Sequence, residues 1–174
     1  MRCFSLLFIV PLTACQAIQP EDSPLAGFVR NGDVPAVRRI LSRGADPNAP
    51  AGLNDWPPLL HAVHKAQLGT AVALLDGGAD VNRPSADGTT ALMMAAGYGY
   101  GDFVKLLLAR GADPSMRDRH GETALDFAIT GVADIDRFTL FACQNETAAL
   151  FANRGLQPRS ASLRWARLKR CSST

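Results

Sequence analysis

His61 and His64 stand three residues apart, a spacing at which two imidazoles share one face of a helix and can hold a metal ion between them. His61, however, falls on an apolar position of its segment, and no carboxylate or cysteine completes a ligand set, so no metal centre is expected. The thiols of Cys15, Cys143 and Cys171 are the other groups with reactive chemistry, open to acylation or to disulfide formation. Nothing in the chain has the form of a nucleophile elbow, a Cys-x-x-Cys pair or a phosphate loop. Gly97-Tyr98-Gly99 reads as a bend whose glycines serve turn geometry, and Met93-Met94 reads as core. The expectation is a protein that is not an enzyme, with no cofactor and no small-molecule substrate.

The elements that position these residues must come from one modest domain. The chain has 174 residues, 47% of them apolar and 20% charged, a globular balance. Its formal charge is only +2, so a partner held by phosphate neutralisation, such as nucleic acid, is not expected.

At the N-terminus Met1-Arg2 precedes an apolar run from Phe4 to Leu12, too short to span a bilayer and suited to the core of an export signal. Leu12-Thr13-Ala14-Cys15 follows and resembles the bacterial lipobox. That resemblance implies removal of residues 1–14, lipidation of Cys15 (palmitate among the chains) and a place in the cell envelope. With Gln16 rather than aspartate after the cysteine, it implies the outer membrane, facing the periplasm. An ordinary secretory signal cut after Ala17, discarding Cys15, is the alternative and gives a soluble periplasmic protein. In either case Cys143 and Cys171 reach an oxidising compartment, where they are a possible disulfide or two separate buried thiols. A bridge would contribute on the order of 3–4 kcal/mol by the chain-entropy argument.

Gly-Ala-Asp recurs at Gly44, Gly78 and Gly111, spaced 34 and 33 residues apart. A second marker keeps step: Ser23-Pro24-Leu25, Pro57-Pro58-Leu59, Thr90-Ala91-Leu92 and Thr123-Ala124-Leu125. Each period reads as a turn, a short helix, a tight bend, a longer helix and a glycine, with threonine as helix cap and glycine as left-handed terminator. The pattern resembles the ankyrin repeat over about residues 21–158. It implies an all-α ankyrin-repeat solenoid of about four helix-turn-helix repeats, with a C-terminal capping helix. In the fourth period Gly155 lies 44 residues after Gly111, so about eleven residues are inserted, placed near 131–142, with Glu146–Arg154 expected as the outer helix. Residues 15–20 form a tether that reaches at most about 20 Å. Residues 159–174 form a basic tail, read either as a cap on the last repeat or as a segment lying on anionic lipid. The second reading would make the protein a membrane-apposed structural factor.

In ankyrin stacks the groove of inner helices and turns grips a partner protein. Projection of those positions selects Asp22, Arg30, Asn31, Trp56, His64, Lys65, Thr89, Gly97, Tyr98, Tyr100, Arg117, Arg119, His120, Glu122 and Thr130. Trp56, Tyr98 and Tyr100 stand out as residue types in which interface energy concentrates, although packing at the bends explains them as well. Arg117, Arg119 and His120 form a basic turn suited to an acidic partner or to water alone. The resemblance implies binding, and inhibition or stabilisation, of an envelope protein. Exported bacterial relatives point to an immunity role against a toxin or an accessory role for a stress enzyme.

Overall fold

A computed structural model of the protein describes residues 24–50, 55–131, 144–151, 154 and 156–168. The export segment, Cys15, the tether, Asp22, the inserted residues 132–142, Cys143 and Cys171 lie outside the described residues.

The described elements are helices: α1 (Pro24–Asn31), α2 (Val34–Leu41), α3 (Pro58–His64), α4 (Leu68–Asp76), α5 (Ala91–Tyr98), α6 (Gly101–Ala109), α7 (Ala124–Thr130), α8 (Asn145–Ala149) and α9 (Ser160–Leu168). They pair as antiparallel hairpins, and the inner helices α1, α3, α5, α7 and α9 stack in chain order. No helix among the described residues is long and apolar enough to cross a membrane.

Local chemistry explains the pairing. The Thr90 hydroxyl accepts the Met93 N–H at the start of α5, and the Thr123 hydroxyl accepts the Asp126 N–H at the start of α7. Pro57 stands at the same place before α3 and makes no side-chain cap. The glycines that close the outer helices, Gly44, Gly78 and Gly111, all have φ near +90°. Small Ala62, Ala95, Ala96 and Ala128 are fully buried and let successive inner helices approach, while Leu59, Leu60, Leu74, Leu92 and Leu107 fill the space between the layers.

A side-chain ladder ties the outer-helix ends together. Asn48 Oδ1 accepts the Asp80 N–H at 2.8 Å, and Asn82 Oδ1 accepts the Asp113 N–H at 2.8 Å, so each asparagine reaches into the next repeat. At the following repeat Ser115 takes the asparagine's place and its hydroxyl turns back to Asp113. Asn82→Ala should cost about 1 kcal/mol, since a neutral side-chain to backbone bond between partly solvated groups is lost. A denaturant midpoint unchanged from wild type would remove the ladder from the account of stability.

The fourth repeat departs from expectation in one respect. Its outer helix is α8, Asn145–Ala149, and not the longer Glu146–Arg154 expected from the repeat period. The Gln144 N–H donates to Ala128 O at 2.7 Å, the Thr147 hydroxyl donates to Ala96 O at 3.1 Å, and Phe151 turns into the core fully buried. The segment is thus pinned to α5 and α7 within a few residues. The tail helix α9 packs on α7, in the position a fifth inner helix would take, which is the capping arrangement.

Candidate partner-binding face

Trp56 stands one residue before the cap of α3 and lays its ring against the histidines of that helix. Its centroid lies 5.5 Å from His61 and 5.3 Å from His64, the latter edge-on. His64 then meets Tyr98 of the next inner helix at 6.0 Å between rings, with 3.0 Å between His64 Nδ1 and the Tyr98 hydroxyl. Tyr98 lies 5.4 Å from Tyr100, and Tyr100 lies 5.7 Å from Phe103 on α6. Six rings therefore run without a break from the entrance of the second repeat to the outer helix of the third. Trp56, His64, Tyr98 and Tyr100 are partly exposed, while His61 and Phe103 form the buried underside.

The bend between α5 and α6 makes this row possible. Gly99 adopts φ +75°, a left-handed conformation that ends α5 and brings Tyr98 and Tyr100 to the same side. A methyl group at Gly99 would also run into the Gln144 side chain. Beside Tyr100 and Phe103 an open hollow is bordered by Ala66, Leu68, Gly101 and Asp102. Leu68 is 38% exposed there, one of two large apolar side chains left open among the described residues. Aromatic faces followed by an open apolar notch can accept the side chains of another polypeptide.

The segments that lead into α5 and α7 project as fingers. The Arg119 N–H donates to Asp87 O at 2.9 Å, joining the two, and a Cβ on Gly88 would come within 2.9 Å of the Asp118 backbone. Thr89 is only 9% exposed and its carbonyl accepts from Ser85, so it serves the finger's internal bonding and offers little to a partner. Glu122 is partly buried, with Arg159 Nη1 3.8 Å from its carboxylate. Burial, followed by the charges of Asp118 and Asp126, raises its carboxyl above the ordinary glutamate value. Gly97 is buried within α5, and the Thr130 hydroxyl donates to Asp126 O at 2.9 Å. Arg30 supplies a carbonyl to Gln67 Nε2 at 2.9 Å across the first two repeats. Asn31, Lys65, Arg117, Arg119 and His120 stand exposed. Two members of the row were not read from the sequence as part of this face. His61 was read as core, and Phe103 looked like an ordinary outer-helix residue. Among the described residues no group of His, Cys, Asp and Glu is placed to hold a metal ion.

Comparison with known proteins fixes what kind of scaffold presents this row. Residues 74–128 match the model of a family described as ankyrin repeats (many copies). The ankyrin repeat domain of Bcl-3, described as a unique member of the IkappaB protein family, superposes with a TM-score of 0.59 and 34% identity, over 60% of this chain and 46% of that one. The fold is an ankyrin-repeat solenoid. The B-cell lymphoma 3 protein homolog of Mus musculus is 37% identical over 97 residues, 56% of this chain and 22% of the relative. Zygote-specific protein 3 of Chlamydomonas reinhardtii is 36% identical over 109 residues, 62% of this chain and 29% of the relative. The 2-5A-dependent ribonuclease of Mus musculus is 36% identical over 80 residues, which make up only 11% of that protein. The chain thus spans less than a third of the length of these curated relatives, and the likeness is to their repeats. Ankyrin repeats are protein–protein interaction modules and, as a fold, typically non-catalytic scaffolds.

Proposed function

We propose that the protein is a lipid-anchored binding module of the bacterial cell envelope that grips a periplasmic protein across Trp56, His64, Tyr98 and Tyr100 and thereby inhibits or stabilises it. The observation that carries the reading is the continuous row of rings across two repeats, partly exposed and followed by the Leu68 notch. Such rigid amphipathic side chains lose little conformational freedom on binding, which is why they dominate the energetics of interfaces. The envelope location rests on Leu12-Thr13-Ala14-Cys15. A tether of residues 15–20 would keep the stack within about 20 Å of the membrane face, so the partner belongs there too.

The test is a cross-linked capture from solubilised envelopes, comparing wild type with a Trp56→Ala, Tyr98→Ala, Tyr100→Ala variant. Capture of one protein by wild type, with loss by the variant of at least about a hundredfold in affinity, is expected for removal of central anchors. Equal capture by both would sink the groove reading. The anchor is checked separately: an alkyne fatty acid fed to cells should label wild type and leave Cys15→Ser unlabelled. Equal labelling of the two would refute lipidation at Cys15.

A further inference from the structure

Charges are sorted at the tips of the fingers. Asp87 turns inward, accepting the Ser85 hydroxyl and the Thr89 N–H, and Asp118 accepts the N–H groups of His120 and Glu122. Both acids are committed to holding the turns. The bases of the same segments, Arg83, Arg117 and Arg119, are exposed, and none makes an ion pair with a described residue. Two of them are held in place by their own finger: Arg117 Nη1 donates to Gly121 O at 2.7 Å, and Arg119 Nε donates to His120 Nε2 at 3.2 Å. Each bond fixes one corner of a guanidinium fork and leaves the other N–H groups in solvent. Because Arg119 N–H is bonded to Asp87 O, the finger that carries these two forks is joined to the finger that carries Arg83.

A planar fork held in one orientation is matched to carboxylates, which it can engage through two parallel bonds. We infer that this finger edge receives an acidic segment of the partner protein whose body rests on the aromatic row, an inference that depends on the proposed binding role. A protein segment fits better than a long uniform polyanion. The chain carries only +2 overall, and exposed Asp80 and Asp113 open the same two segments while Asp76 and Asp102 stand exposed beside Arg110 and Lys105, so the basic edge is short and cannot track extended nucleic acid or an anionic bilayer. A few carboxylates meeting three arginines gain orientation and a faster encounter, which suits a rim beside an aromatic centre.

The test uses the whole chain and a short fluorescein-labelled poly-glutamate peptide at low and physiological ionic strength, followed by fluorescence anisotropy. Binding tighter than that of poly-lysine, oligodeoxythymidine or phosphatidylglycerol vesicles is expected. An Arg117→Gln, Arg119→Gln variant, its helix content confirmed by circular dichroism, should bind the peptide about tenfold more weakly and with a shallower salt dependence. Arg83→Gln, which disturbs no described hydrogen bond, should weaken it in the same direction. The Trp56→Ala, Tyr98→Ala variant should bind poly-glutamate as wild type does. Unchanged binding in the arginine variants overturns the inference, as does tighter binding of the oligonucleotide or the vesicles. If the captured envelope protein is lost by the aromatic variant yet kept at full affinity by the arginine variants, the acidic segment is wrong while the groove stands.

Discussion

Asp126→Ala is expected to cost about 3 kcal/mol and to loosen α9 from the stack. The Asp126 side chain is fully buried at the start of α7 and serves two elements at once. Its Oδ2 accepts the Thr123 N–H at 3.0 Å and the Thr123 hydroxyl at 2.9 Å, and its Oδ1 accepts the Arg159 N–H at 2.7 Å. Removing the carboxylate leaves two backbone donors without acceptors in a buried place, each costing about 1–3 kcal/mol. Asp126→Asn separates the two roles. Its single oxygen can still serve Thr123, but its amide then faces the Arg159 N–H, donor against donor. That variant should lose protection from hydrogen exchange first in α9, with the cap of α7 retained. A melting midpoint within a degree of wild type for both variants would refute the assignment.

The pH dependence follows from the same bonds. Burial pushes the Asp126 carboxyl up, but hydrogen bonds from Thr123 and Arg159 outweigh it and hold it below the ordinary aspartate value. A carboxyl with a lower pKa folded than unfolded stabilises the protein above its unfolded value and loses that contribution as pH falls through the folded one. The difference between wild type and Asp126→Ala should be full at neutral pH and shrink on acidification below the ordinary aspartate range. Glu122 acts in the opposite sense, because its carboxyl is raised and the folded state prefers it protonated. Its contribution fades as pH rises through the folded value.

Phe151→Ala should be the more damaging change, at about 3–5 kcal/mol, because it empties a fully buried aromatic site that the short α8 has little freedom to refill. The loss should stay local. In a solenoid each unit leans on its neighbours, so α7, α8 and α9 should lose exchange protection while α1 to α4 keep theirs. Loss of protection across the whole stack at the same denaturant concentration would show that the repeats unfold as one unit and overturn the expectation of local damage.

The repeats were legible because several residue types in each period are dictated by geometry. Gly44, Gly78 and Gly111 recur where only a left-handed residue closes the helix, and Leu59, Leu92 and Leu125 recur where an apolar side chain enters the core. Such constraints survive into the sequence as spacing. The end of α8 was not legible. Its limit is set by Thr147 bonding to α5 and by Phe151 entering the core, contacts that depend on where the inserted segment returns. Trp56, His64, Tyr98 and Tyr100 were visible from their repeat positions, whereas the buried rings beneath them were not. The spacing of His61 from His64 reads as a metal pair or as core and not as part of a ring row, Phe103 carries no spacing signal of its own, and His64 becomes the link to Tyr98 only once α3 and α5 lie side by side. Thr89 and Glu122 share Trp56's position in the period, but Thr89 is buried in its own finger and the Glu122 carboxylate faces Arg159 ahead of α9, so repeat position alone overstates what a partner can reach.

The asparagine ladder also bears on how such a chain can lengthen. Asn48 and Asn82 each offer an oxygen forward, and Asp80 and Asp113 each offer an N–H backward, so the joints between the first three repeats are interchangeable. A duplicated unit slipped in between Asn82 and Asp113 would give its own N–H to the Asn82 oxygen behind it and offer its own asparagine oxygen to the Asp113 N–H ahead, with no new residue required. After Ser115 the oxygen is no longer offered, and a copy added there would begin without its anchor. Growth by duplication is therefore easy in the interior and closed at the carboxyl end, where α9 already occupies the next place in the row.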